Sequence, residues 1–111
     1  LAEAYLRQDM PDKAADAVNE VRRRAKVSDV SDEEMTMDFL LDERIRELYG
    51  EESRRFTLVR TGKLLERVRK YNPEARDLIQ DFHVLWPIPQ AFRDANVGNF
   101  PQNPGYEGYE G

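Results

Sequence analysis

The chain contains no cysteine, which removes disulfides, thiolate metal sites and thiol nucleophiles together, although it does not fix a compartment. Histidine is almost absent too: His83 stands alone, so a histidine-rich metal site is excluded, and no second strong ligand lies at helical spacing beside it. A lone histidine next to the apolar run Val84-Leu85-Trp86 reads as structural. The three serines, Ser28, Ser31 and Ser53, lie in no G-x-S-x-G elbow, and nucleophilic catalysis has no visible support. Gly50, Gly62 and Gly98 are isolated, and Thr61-Gly62-Lys63 lacks the spacing of a phosphate-binding loop. No apolar run reaches the roughly 18 residues of a membrane-spanning helix, and no signal peptide opens the chain. Basic surplus is lacking as well, with 17 Lys plus Arg against 22 Asp plus Glu and a formal charge of -5. That balance argues against nucleic acid. The basic run Arg22-Arg23-Arg24 with Lys26 does not reverse this, because consecutive helical residues fan out by about 100° and form no single stripe. Carboxylates such as Glu51 and Glu52 are plentiful, but abundance does not make an acid pair of the kind a glycosidase needs. The sequence therefore yields no catalytic, metal-binding or cofactor-binding residue, and it leaves ligand-contact residues unknown.

What is present is helical punctuation over 111 residues, enough for one modest core. The chain opens in a helical pattern, Leu1-Ala2-Glu3-Ala4-Tyr5-Leu6, with no capping residue before it, so it is expected to begin inside a helix. Asp9 or Met10 ends that helix and Pro11 opens the next, giving a helical hairpin. Ala14, Ala17, Val18, Val21 and Ala25 form a stripe of mainly small residues. Ser28 to Ser31 reads as a loop. Either Ser31 with Glu34 or Thr36 caps a helix from about residue 37 to 49, whose stripe is Met37, Leu40, Leu41, Ile45 and Leu48 and whose terminator is Gly50. Asp42 and Arg46 make an i, i+4 pair on it. A short helix from Arg54 to Thr61 ends at Gly62, and another amphipathic segment through Leu64, Leu65 and Val68 stops before Asn72-Pro73. From His83 to Pro89 the prolines require an extended backbone, followed by a helical turn at Gln90 to Ala95. The tail is rich in Asn, Gly and Pro and closes on Tyr106-Glu107-Gly108-Tyr109-Glu110-Gly111.

Three segments, in order, carry a resemblance to a known family. Asn19-Glu20-Val21-Arg22-Arg23-Arg24-Ala25 is similar to an N-x-V-R-x-R-A helix end. Asp42-Glu43-Arg44-Ile45-Arg46-Glu47-Leu48-Tyr49-Gly50-Glu51, continued by Phe56-Thr57-Leu58-Val59-Arg60-Thr61-Gly62-Lys63-Leu64, is similar to D-E-R-x-R-E-L-x-G-E followed by F-D-L-x-R-T-G-K-L. Trp86-Pro87-Ile88-Pro89 with Gln102-Asn103-Pro104-Gly105-Tyr106 is similar to P-I-P and a closing Q-N-P-G-Y. Together they resemble the C-terminal region of the SusD/RagB family, with Thr57 standing where that family usually has Asp.

The resemblance implies a mostly α fold: the end of a tetratricopeptide-like helical array, then short helices and an extended, loop-rich C-terminal segment. Residues 1-111 form the C-terminal region, with 1-26 the last, truncated hairpin, 27-81 the short helices and 82-111 the extended tail. The function it implies is that of a fragment of a cell-surface glycan- or nutrient-binding protein, a lipoprotein on the surface side of the bacterial outer membrane, which captures oligosaccharides for import by a TonB-dependent SusC-like transporter. The ligand surface and the lipid-bearing cysteine are implied to lie upstream, so that glycan reaches the protein through the missing region. The competing function is a tetratricopeptide-like protein-interaction module without glycan binding; an enzyme is not indicated. Three further expectations follow. Glu43, Arg44, Arg46, Glu47 and Arg60 form a partly buried ion-pair network joining the residue 37-49 helix to the residue 54-61 helix. Trp86 is buried as a core anchor and is not a sugar platform. The first hairpin, lacking its neighbours, exposes apolar surface, so the fragment does not function autonomously.

Overall fold

A computed structural model of the chain describes residues 1-98 and 100-109; Asn99, Glu110 and Gly111, and with them the last two residues of the closing tyrosine-glycine segment, lie outside the described residues. Six α-helices and a 3-10 helix follow one another, and no strand occurs among the described residues. The mostly α class expected from the sequence holds. The chain divides into two compact units, Leu1–Ser53 and Arg54–Gly111.

In the first unit, α1 (Ala2–Leu6) and α2 (Pro11–Arg24) form the expected hairpin. Asp9 takes a left-handed φ of 57°, the Met10 N–H returns to the Tyr5 carbonyl at 3.0 Å, and Pro11 opens α2 where a missing N–H costs nothing. The buried face of α2 is Ala14, Ala15, Val18 and Asn19, rotated from the stripe read off the sequence: Ala25 is exposed and serves as the C-cap. Asn19 is the reason for the rotation. Its carboxamide donates to the Val30 carbonyl at 2.9 Å and accepts the Val30 N–H at 2.8 Å, which draws the following loop over the helix and buries Val30 to 5% exposure. Val30, Met35 and Leu40 then join Ala14, Ala15 and Val18 in one core, with Ala2, Tyr5, Leu6, Met37 and Phe39 packed around it.

Both capping candidates of the loop are used, at different places. Ser31 and Glu34 bond reciprocally around the turn that precedes the helix. Thr36 caps α3 (Met37–Glu47) itself, its hydroxyl accepting the Phe39 N–H at 3.1 Å. This helix stops two residues earlier than expected. Leu48 becomes the C-cap, and its carbonyl accepts the N–H groups of Glu51 and Glu52, so that Gly50, at φ +79°, lies in the turn beyond. Leu40 and Leu41 are buried, whereas Ile45 is 45% exposed and leaves the expected stripe. The ion-pair partner of Arg46 is Glu43, at 2.6 Å and i, i+3 spacing.

The second unit holds α4 (Arg54–Arg60), α5 (Leu64–Tyr71), the 3-10 helix Asp81–Val84 and α6 (Gln90–Asp94). Gly62, at φ +71°, lets the chain reverse between α4 and α5, with the Lys63 N–H returned to the Leu58 carbonyl at 2.8 Å. Leu58 and Leu64 are the buried hydrophobic residues, beside Thr57 and Arg67. The side-chain oxygen of Asn72 accepts the N–H groups of Glu74 and Ala75, both at 3.1 Å, which starts a turn where Pro73 forbids more helix. The expectation of extended backbone from His83 is corrected: His83 and Val84 complete a 3-10 turn, and extension begins at Leu85, at φ -97° and ψ 170°. Pro87 restrains only its immediate predecessor, Trp86, and the turn is stabilised locally by His83 Nδ1, which accepts the Gln80 N–H at 2.7 Å. The helical turn expected after Pro89 is α6.

Candidate functional site

Four side chains fix the backbone from Leu85 to Ile88. Gln102 accepts the Ile88 N–H at 2.7 Å and donates to the Ile88 carbonyl at 2.8 Å. Asn103 Nδ2 donates to the Trp86 carbonyl at 2.8 Å, and the Tyr106 hydroxyl donates to that of Leu85 at 3.2 Å. From α4, Arg55 Nη2 donates to the carbonyls of His83 at 2.5 Å and Leu85 at 3.1 Å. The physical content of the two C-terminal motifs is thus a clamp: the Q-N-P-G-Y segment supplies donors and an acceptor to a stretch whose prolines prevent it from pairing in a sheet. Gly105, at φ +87°, packs against Phe82 so closely that an added Cβ would stand 2.2 Å from the ring. The Phe82 and Tyr106 rings meet edge to face at 4.8 Å.

Trp86 is not a core anchor. It is 60% exposed, and its ring lies against the Arg55 guanidinium, whose Cζ is 4.3 Å from the ring centroid. The neighbours Val84 and Leu85 are exposed by 36% and 41%. The sequence expectation weighed apolar neighbours as evidence of burial, yet the clamp bonds the carbonyls of Leu85 and Trp86 and leaves their side chains exposed. Arg55 was missed because nothing in an Arg-Arg pair at a helix start signals which guanidinium will turn onto the ring of Trp86, far along the chain.

Charges in the first unit are organised around α3. Glu43 pairs with Arg22 of α2 at 2.8 Å as well as with Arg46, and both side chains of the Arg22–Glu43 pair are little exposed, at 12% and 14%. Arg44 pairs with Glu52 at 2.8 Å, and Glu47 pairs with Arg24. Four of the five residues expected to form a network therefore have partners inside this unit, on α2, on α3 itself and on the turn after α3, and Arg60 closes α4. Arg22 also donates to the Ser28 carbonyl at 2.7 Å, so one arginine of the basic run bonds a carbonyl at the hairpin's end.

Each unit has its own concavities. A groove of about 390 Å³ in the first is lined by Leu1, Ala17, Val21, Leu40 and Leu48 with acidic side chains around them. In the second, a groove of about 340 Å³ runs past Leu64, Val68, Leu78 and Ile79 to Arg55 and His83, and a polar hollow of about 430 Å³ is edged by Gln90, Arg93, Glu107 and Tyr109. The Glu107 carboxyl is held below its ordinary value by the Gly105 N–H that it accepts. Among the described residues no group of three or more His, Asp or Glu is placed to hold a metal ion, and no helix is long and apolar enough to cross a membrane. What these surfaces offer chemically is contact: aromatic faces, amides and guanidinium groups.

No curated protein and no solved structure matches the chain. The family model described as the SusD family matches residues 1–106, which takes in all three motifs, the α2–α3 ion pairs and the C-terminal clamp. The chain belongs to the SusD family.

Proposed function

We propose that this chain is part of a cell-surface nutrient-binding protein of the bacterial outer membrane, lipid-anchored through a segment outside the chain, which captures oligosaccharides and passes them to a TonB-dependent SusC-like transporter. The protein binds and does not turn over its ligand. Membership of the SusD family over residues 1–106 is the observation that carries this reading. The architecture supports it in kind: the family motifs lie at hydrogen-bonded clamps and ion pairs, which hold surfaces in place and supply no nucleophile with its base.

The alternative, a tetratricopeptide-like interaction module, draws on the α1–α2 hairpin alone, and such arrays need about three stacked units. A glycan array on the protein, together with co-purification of an outer-membrane transporter from cells expressing both, tests the reading. Saturable binding to one glycan class and recovery of the transporter are expected. A blank array, or release of shortened sugars by the pure protein, overturns it.

A further inference from the structure

We propose that the outward face of Trp86 is a stacking platform for one pyranose ring of an oligosaccharide, a contact that rests on the glycan-binding reading above and places a ligand residue inside the C-terminal region. Three observations converge on this ring. It is 60% exposed although tryptophan is the largest apolar side chain in the protein and the only one of its kind. Its rear is occupied by a guanidinium 4.3 Å from the centroid, while the residue as a whole stays more than half exposed. Its backbone is fixed on both sides, by Asn103 on its own carbonyl, by Tyr106 and Arg55 on that of Leu85, and by Gln102 on Ile88.

A ring held in this way has little freedom to lose on binding, and that lowers the entropic cost of a contact. The negative face of an indole attracts the polarised C–H bonds on the flat side of a pyranose, much as it attracts a cation. Arg55 backs the ring while its Nη2 donates to the carbonyls of His83 and Leu85, so the same side chain holds the indole and the backbone that carries it.

This chain holds a single tryptophan, so in the chain taken by itself all indole emission comes from this site and the test is direct. Titration of the protein with maltotriose, xylotriose and mannotriose is expected to change the emission saturably with at least one of them and to protect the ring from acrylamide quenching. Affinity for that trisaccharide, measured by calorimetry, should fall on the order of tenfold or more in Trp86→Ala and stay close to wild type in Trp86→Tyr. A trisaccharide that binds without altering Trp86 emission, and equally well in Trp86→Ala, places the ligand elsewhere and overturns the inference while the glycan-binding reading stands. Emission unchanged by all three sugars also overturns it, and so does a ring shielded from acrylamide before any sugar is added, which would show that another protein surface covers it. The wild-type emission and the Trp86→Tyr variant keep the outcome decisive even if Trp86→Ala folds poorly.

Discussion

The carboxamide of Gln102 closes two hydrogen bonds on a single residue, Ile88, fourteen positions upstream, at 2.7 and 2.8 Å. Because Pro87 and Pro89 flank it, Ile88 carries the one backbone N–H of its three-residue stretch, and Gln102 takes it. Gln102→Ala leaves a donor and an acceptor unpaired in a part-buried site, which costs about 1 to 3 kcal/mol. Gln102→Glu keeps the acceptor and loses the donor, so its loss should be smaller. Urea denaturation of the three proteins side by side checks the ranking, and equal midpoints would show that the clamp contributes nothing.

Gly105 offers a sharper case. Its φ of +87° is strained for any L side chain, and a Cβ would meet Phe82 at 2.2 Å. Backbone strain alone is worth about 1 to 3 kcal/mol, and the overlap with the ring adds to it. Gly105→Ala is expected to unseat Tyr106 from Phe82, read as loss of the ring-current shifts between the two aromatics in a proton spectrum, with a lowered unfolding midpoint. Gly50→Ala shares the positive φ but meets no atom within 4 Å, so it isolates the strain from the overlap.

Two arginines of the same basic run should respond differently. Glu43→Gln removes the partner of Arg22 in a pair whose side chains are only 12% and 14% exposed, and its cost should approach the roughly 3 to 5 kcal/mol of a broken buried pair. Arg23 pairs with Asp29 at 61% and 44% exposure, and Arg23→Ala should cost under about 1 kcal/mol. Raising the salt concentration should shrink the second effect and spare most of the first.

Acid should loosen the tail at Glu107. Its folded pKa lies below the ordinary value of 4.5 because the ionised carboxylate accepts the Gly105 N–H. A depressed carboxylate pKa contributes stability that is present above the unfolded value and is lost as pH falls through the folded one. The Gly105 amide resonance should therefore shift at a pH below 4.5 and remain flat in Glu107→Gln. A midpoint at or above the ordinary value would remove the bond from the account.

Much of the fold was legible. The Asp9-Met10-Pro11 break, the Thr36 cap, the Gly62 reversal and the turn after Pro89 are short-range signals written in residues whose backbone preferences are strong. The buried face of α2 was not, because apolar periodicity has no term for a polar residue such as Asn19 that is buried by bonding a distant loop. Trp86 failed for a related reason. Hydrophobicity predicts burial only on average, and a cation from another helix can satisfy one face of an indole while the other stays wet. The partners of Glu43 and Glu47 lay on α2, more than twenty residues away, where no local spacing rule reaches.

Asn19 on Val30 and Gln102 on Ile88 are the same device used once in each unit. In both, a side-chain amide plays the part a neighbouring strand would play, so a loop residue acquires a paired N–H without joining any regular element. Exchange with solvent deuterium then ceases to follow secondary structure. The amides of Val30 and Ile88 should outlast those at the frayed ends of α1 and α6, and each should be released only when one carboxamide swings away. The clocks of these two loop amides are therefore set by side-chain rotation.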